Sequence, residues 1–99
     1  MKKPVGIVFN IRMYRDKLYG NTYSKGEVTL VYRDGTSYVH AVPFQYGTAD
    51  CAARNAKQEL QKAKRLPKQS DNEYTSSYYT AHKIAHIAFF SYVATKKEL

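Results

Sequence analysis

Val28-Thr29-Leu30-Val31-Tyr32-Arg33-Asp34-Gly35-Thr36-Ser37-Tyr38-Val39-His40-Ala41 reads as two β-branched and aromatic runs meeting at an Asp-Gly pair. Asp-Gly tolerates the positive φ that both central residues of a type I′ turn require, so the stretch predicts a hairpin with a two-residue loop. That loop length sets the register: Arg33 opposes Thr36, Tyr32 opposes Ser37, Leu30 opposes Val39 and Val28 opposes Ala41. Val28, Leu30, Tyr32, Val39 and Ala41 then form the core face. Thr29, Val31, Arg33, Tyr38 and His40 form the open one. The two strands are expected over about residues 22–33 and 36–44.

Outward from the hairpin, residues 5–14 alternate. Val5, Ile7, Phe9, Ile11 and Met13 fall on one side, with Val8, Asn10, Arg12 and Tyr14 on the other, a period of two that argues a strand. Gly20-Asn21 marks the turn between them. Past the hairpin, Thr48 is placed as an N-cap and Pro67 as a stop, which predicts a helix over residues 49–66. At 100° per residue Ala49, Ala52, Ala53, Ala56, Leu60 and Ala63 make one stripe, small enough to lie close on a sheet. Arg54, Lys57, Gln58, Gln61, Lys64 and Arg65 make the opposite stripe. The tail reads as a short helix near residues 73–83 followed by a strand near 86–95, where β-branched and aromatic residues concentrate. The fold expected is therefore α+β, one domain over residues 1–99: an antiparallel sheet of three to four strands with one long helix on one face.

Charge narrows the function classes. Sixteen Lys and Arg against eight Asp and Glu leave the 99-residue chain at +8. Residues 48–69 contribute six basic and two acidic side chains, as much net charge as residues 1–47 in half the length, whereas residues 70–99 are neutral. An outward-facing basic helix stripe can track phosphates with release of counterions. Arg54, Lys57, Gln61, Lys64 and Arg65 are the residues predicted to do so. Ten tyrosines and no tryptophan accompany them. Tyr14 and Tyr38, beside Arg12, Arg33 and His40 on the open sheet face, suit base stacking or a protein hot spot.

Other chemistries find little footing. His82 and His86 are spaced as a ligand pair, but zinc takes three or four ligands, and His40 and Cys51 lie on segments with no enforced proximity. Cys51 sits one turn into the helix with only His40 as a conceivable base. The eight carboxylates offer no acid–base pair, and no Gly-rich phosphate loop occurs. The expectation is thus a protein without catalytic residues, metal or cofactor. No apolar run reaches the ~18 residues of a membrane span. The single cysteine suits a reducing compartment, so a cytoplasmic location without membrane contact is expected.

Two resemblances rest on particular residues. The order β-β-β-α, with Gly47 opening an Ala/Lys/Arg helix, is a topological echo of the double-stranded-RNA-binding domain, although Thr48-Ala49-Asp50 stands where that family has paired lysines. Asn21-Thr22-Tyr23, Pro43-Phe44-Gln45-Tyr46-Gly47 and Lys96-Lys97-Glu98-Leu99 together resemble small uncharacterised accessory proteins of tailed bacteriophages. That resemblance implies a C-terminal strand, expression in an infected bacterium, and a role in host takeover or anti-defence. Nucleic acid or a nucleoprotein is the expected partner. The alternative is a protein-only inhibitor or adaptor docking on an acidic host protein through its Tyr-rich sheet face.

Overall fold

The computed structural model describes residues 2–68 and 77–99. Three ten-residue strands, β1 (Gly6–Arg15), β2 (Thr22–Val31) and β3 (Ser37–Tyr46), are followed by helix α1 (Ala49–Lys62). A single helical turn, α2 (Tyr78–Ala81), leads into β4 (Ala85–Tyr92), and a 3₁₀ turn (Lys96–Glu98) comes last. The strands form one sheet in the order β3-β2-β1-β4, with α1 on one face.

The α+β class and the single helix layer match expectation; the strand directions do not all do so. β1–β2 and β2–β3 are antiparallel, but β4 runs parallel to β1, so the sheet is mixed. The reason is where β4 starts. The chain returns beside the beginning of β1, where the Ala85 N–H donates to the Val5 carbonyl at 3.0 Å, and from that end the two strands can only run the same way.

The β2–β3 connection also differs from the prediction. The Tyr32 N–H donates to the Thr36 carbonyl and the Gly35 N–H to the Tyr32 carbonyl. Arg33, Asp34 and Gly35 thus make a three-residue loop, with Gly35 at φ 86° in the left-handed region, the arrangement of a type I turn closed by a bulge glycine. Asp34 Oδ1 accepts from both the N–H and the hydroxyl of Thr36. One extra loop residue slips β3 by one position, and a slip of one turns every side chain over. Leu30 now opposes Tyr38 and Val28 opposes His40. Tyr38, His40 and Val42 therefore face α1, while Val39, 58% exposed, and Ala41 lie on the open face.

The core is the layer between sheet and helix. Ile7, Phe9, Ile11 and Met13 of β1, Val28 and Leu30 of β2, and Val42 of β3 are buried against Ala49, Ala52, Ala56 and Leu60 of α1. Each large aliphatic side chain so removed from water contributes about 1.5–3 kcal/mol. Gly26 faces Ile11 in this layer, and a Cβ there would lie 2.1 Å from the Asn10 carbonyl oxygen and 2.8 Å from the Ile11 Cα. Only glycine lets β1 and β2 approach so closely. Between the Gly26–Val42 and Ser24–Gln45 pairs β3 carries one residue more than β2, a bulge that accommodates Pro43.

Helix α1 ends at Lys62, four residues before the predicted boundary. The Arg65 N–H returns to the Leu60 carbonyl and the Lys64 N–H to that of Gln61, a Schellman closure with Lys64 in the left-handed position at φ 61°. The closure swings Leu66 into the core and leaves Ala63 exposed at the cap.

Candidate nucleic-acid interface

The sequence predicts a continuous cationic stripe along α1, and the fold divides it. Lys57 is buried rather than solvent-facing, 3% exposed, with its Nζ 4.9 Å from the centre of the Tyr78 ring. The wheel misplaced it because α2 packs onto that flank of α1, covering a face that no local pattern marks as covered. Tyr78 and Tyr79 are both buried, and Tyr74 lies outside the described residues. Burial, with the neighbouring Tyr78 adding to it, pushes the Tyr79 phenol well above its ordinary value of 10.0.

The register slip redistributes the other predicted residues. Tyr38 and His40, expected on the open face, instead hold the β3 edge to α1. The Arg65 guanidinium stacks 3.5 Å from the Tyr38 ring centre, the His40 Nε2–H donates to Glu59 Oε2 at 3.0 Å, and Asn55 Nδ2 donates to Gln45 Oε1 at 2.9 Å. Arg65 and His40 are therefore engaged inside the molecule. Gln61 donates to the Pro67 carbonyl at 3.3 Å, bracing the turn after the helix. Arg54 remains exposed and lines a groove of about 460 Å³ between α1 and β4, floored by Phe9, Tyr79, His86 and Phe90.

On the open face Arg12 faces Glu27 across the sheet, with nitrogen–oxygen distances of 3.4 Å. Tyr14, Tyr23 and Tyr46 lie in one row across β1, β2 and β3. Tyr23 stacks on Phe44 at 5.2 Å, and Lys96 from the C-terminal turn covers both rings at just over 5 Å. The aromatic surface beside Tyr14 is thereby capped in part by the chain itself. Cys51 is exposed, with the Thr48 hydroxyl 3.7 Å from its sulfur. The His82 ring lies tilted against Tyr78, and His86 stacks on Tyr79. Among the described residues no group of three or more His, Cys, Asp or Glu is arranged to hold a metal, and no helix is long and apolar enough to cross a membrane.

What sequence reading missed is a concentration of cations at one end. The pairing registers place the start of β1, the end of β2, the start of β3 and the start of β4 together. Helix α1 starts at the far end, where the Ala49 N–H meets the Met13 sulfur, and runs back until Arg65 reaches Tyr38. Its last turn and the closure that follows therefore bring Lys62, Lys64 and Lys68 to the end that already carries Lys2, Lys3, Arg33 and Lys83. Lys3, Arg33 and Lys83 line one recess there. Lys62, Lys64 and Lys68 line another with Gln58 and Gln61.

Among the described residues the nearest carboxylates are already engaged. Asp34 binds Lys2 at 2.7 Å, and Glu59, one turn further in, holds His40. The Lys2 ammonium, helped by Thr36, keeps the Asp34 carboxyl far below the usual carboxylate range. Among the described residues none of Lys3, Arg33, Lys62, Lys64, Lys68 and Lys83 forms an ion pair with a carboxylate.

The only two non-glycine residues with positive φ among those described are Lys64, at 61°, and Lys83, at 58°. Both sit at this end, each just past a helix. No family model matches this chain, and no curated protein or solved structure matches it.

Proposed function

We propose that the protein is a non-catalytic basic binding domain whose lysine-rich end contacts the phosphate backbone of nucleic acid, free or within a nucleoprotein. The observation that carries this is the convergence onto one end, from four distant parts of the chain, of six cations that form no ion pair among the described residues. A basic helix face alone keeps many proteins soluble. Six cations gathered by tertiary folding, with Asp34 already paired to Lys2, make a focused positive field.

Lys64 and Lys83 add to the argument. Both hold the left-handed position that glycine fills at lowest cost. Part of their presence is accounted for by the helix dipole, which favours cations past a C-terminus by about 0.3–1 kcal/mol. Strain retained at two lysines of one patch is the pattern expected where the side chains have work to do. In the phage-type setting that the sequence resembles, such a domain would act on host or invading nucleic acid.

Binding of short fluorescent DNA and RNA, followed by anisotropy over a salt series, tests the reading. Six contacts predict a log K against log salt slope of about −5 for duplex and about −4 for single strands. Replacing Arg33, Lys64 and Lys83 with Gln should flatten that slope by about 2–3. Arg54→Gln, on the α1–β4 groove, should leave it nearly unchanged. Absence of any salt-dependent binding at low ionic strength would refute the proposal.

One observation favours a second reading. The open face exposes Val39, Phe44 and Tyr46 as large apolar groups, which suits docking on a protein. Capture of a bacterial partner that survives nuclease treatment, and is lost on Val39→Glu, would favour it over the first.

A further inference from the structure

The two edges of the sheet are not alike. The β3 edge carries Pro43 and a bulge, devices that blunt an edge against pairing. The β4 edge has neither. Its sequence, AHIAFFSY, holds no Pro, Gly, Lys, Arg or acid. Every residue of it is exposed, with Ile87 at 50%, Phe89 at 55%, Phe90 at 37% and Tyr92 at 66%.

Its free hydrogen-bonding groups can be assigned. The Ala85 N–H donates to Val5 and the Val93 N–H to Met13. In a parallel ladder the residues between alternate, so Ala85, Ile87, Phe89, Ser91 and Val93 turn their backbone groups toward β1. His86, Ala88, Phe90 and Tyr92 turn theirs outward, and no described residue pairs with them.

We propose that β4 is the interface of a homodimer, in which two copies pair antiparallel about a two-fold axis through Phe89 to form one eight-stranded sheet. In this register His86 opposes Tyr92 of the second copy and Ala88 opposes its Phe90. All four outward residues then exchange both hydrogen bonds, and no edge group is left over. The side chains fit the same symmetry. Ala88 leaves room for the Phe90 ring opposite, and Phe89 meets its own counterpart at a non-hydrogen-bonded site, with Cα atoms about 4.5 Å apart.

Charge and area agree with this occupant. Residues 70–99 are net neutral, and antiparallel pairing sends the two basic ends in opposite directions, away from each other. Aromatic side chains carry about 150–250 Å² each, so the four half-exposed apolar residues present on the order of 400 Å² per chain. Pairing of two copies covers the flanks of these side chains that face the seam, together with the backbone of the edge.

Analytical ultracentrifugation of the full chain over a concentration series should give a mass of twice 11.4 kDa. Ala88→Pro deletes an outward N–H and none of the β1–β4 bonds, so it should return the mass to that of one chain with the far-UV spectrum kept. In a Cys51→Ser background, Phe89→Cys should oxidise to a covalent dimer, because the expected Cα separation lies within the disulfide range. Val39→Cys, on the opposite edge, should not. A chain that stays monomeric at every concentration, a dimer indifferent to Ala88→Pro while the fold is kept, or failure of Phe89→Cys to cross-link would each overturn the proposal. The cross-link decides the matter even where the proline variant does not fold.

Discussion

Lys64 is where the interests of stability and of binding diverge. It closes α1 with φ at 61°, a conformation in which a Cβ is crowded by about 1–2 kcal/mol, and it stands among the cations of the basic end. Lys64→Gly should therefore stabilise the fold by about 0.5–1 kcal/mol, after allowing for the lost dipole interaction and the greater freedom of glycine when unfolded. The same change should weaken polyanion binding and reduce the salt slope by about one contact. Chemical denaturation and anisotropy on the one variant check both signs. A Lys64→Gly protein that loses stability would mean that the lysine side chain supports the turn. Lys57 makes the complementary point: its burial beside Tyr78 means that a charge reversal there tests folding and not the interface.

At the scale of elements, the tightest constraint is the approach of β2 to β1 at Gly26. Gly26→Ala forces a methyl against the backbone of Asn10 and Ile11, atoms in the middle of the sheet that cannot rotate away. The expected loss is about 3 kcal/mol, read as a fall in denaturation midpoint with little change in slope. Gly35→Ala, in open space but at positive φ, should cost about 1 kcal/mol through its backbone alone.

The elements themselves were largely legible. The alternation of residues 5–14 and the alanine stripe of 49–60 are local patterns, and both reappear in the buried layer. The hairpin was legible as a hairpin but not in its facing. Asp34-Gly35 serves both a two-residue turn and the last two positions of a three-residue loop, and the choice exchanges Tyr38 and His40 for Val39 and Ala41. The direction of β4 left no trace in sequence because parallel and antiparallel edge strands share one local pattern. The cluster Lys3, Arg33, Lys62, Lys64, Lys68 and Lys83 was illegible for a related reason: its members become neighbours only through topology.

For the molecule as a whole, a charge of +8 gathered largely at one end implies self-repulsion that salt relieves. Raising ionic strength from about 0.01 M to 0.15 M shortens the screening length from about 30 Å to about 8 Å. The thermal midpoint should therefore rise with added sodium chloride over that range, while affinity for nucleic acid falls. A midpoint that drops instead would mean that the cations are held in favourable ion pairs within the fold.

The parallel strand also orders the birth of the protein. β1 needs β4 as its second neighbour, yet the codons for the two lie about seventy residues apart, so at about 5–20 residues per second the N-terminal strand waits several seconds on the ribosome with one flank bare. Folding in the cell then finishes only when the tail emerges. Until that moment the nascent chain offers chaperones, or its own siblings on a polysome, a row of unsatisfied amides.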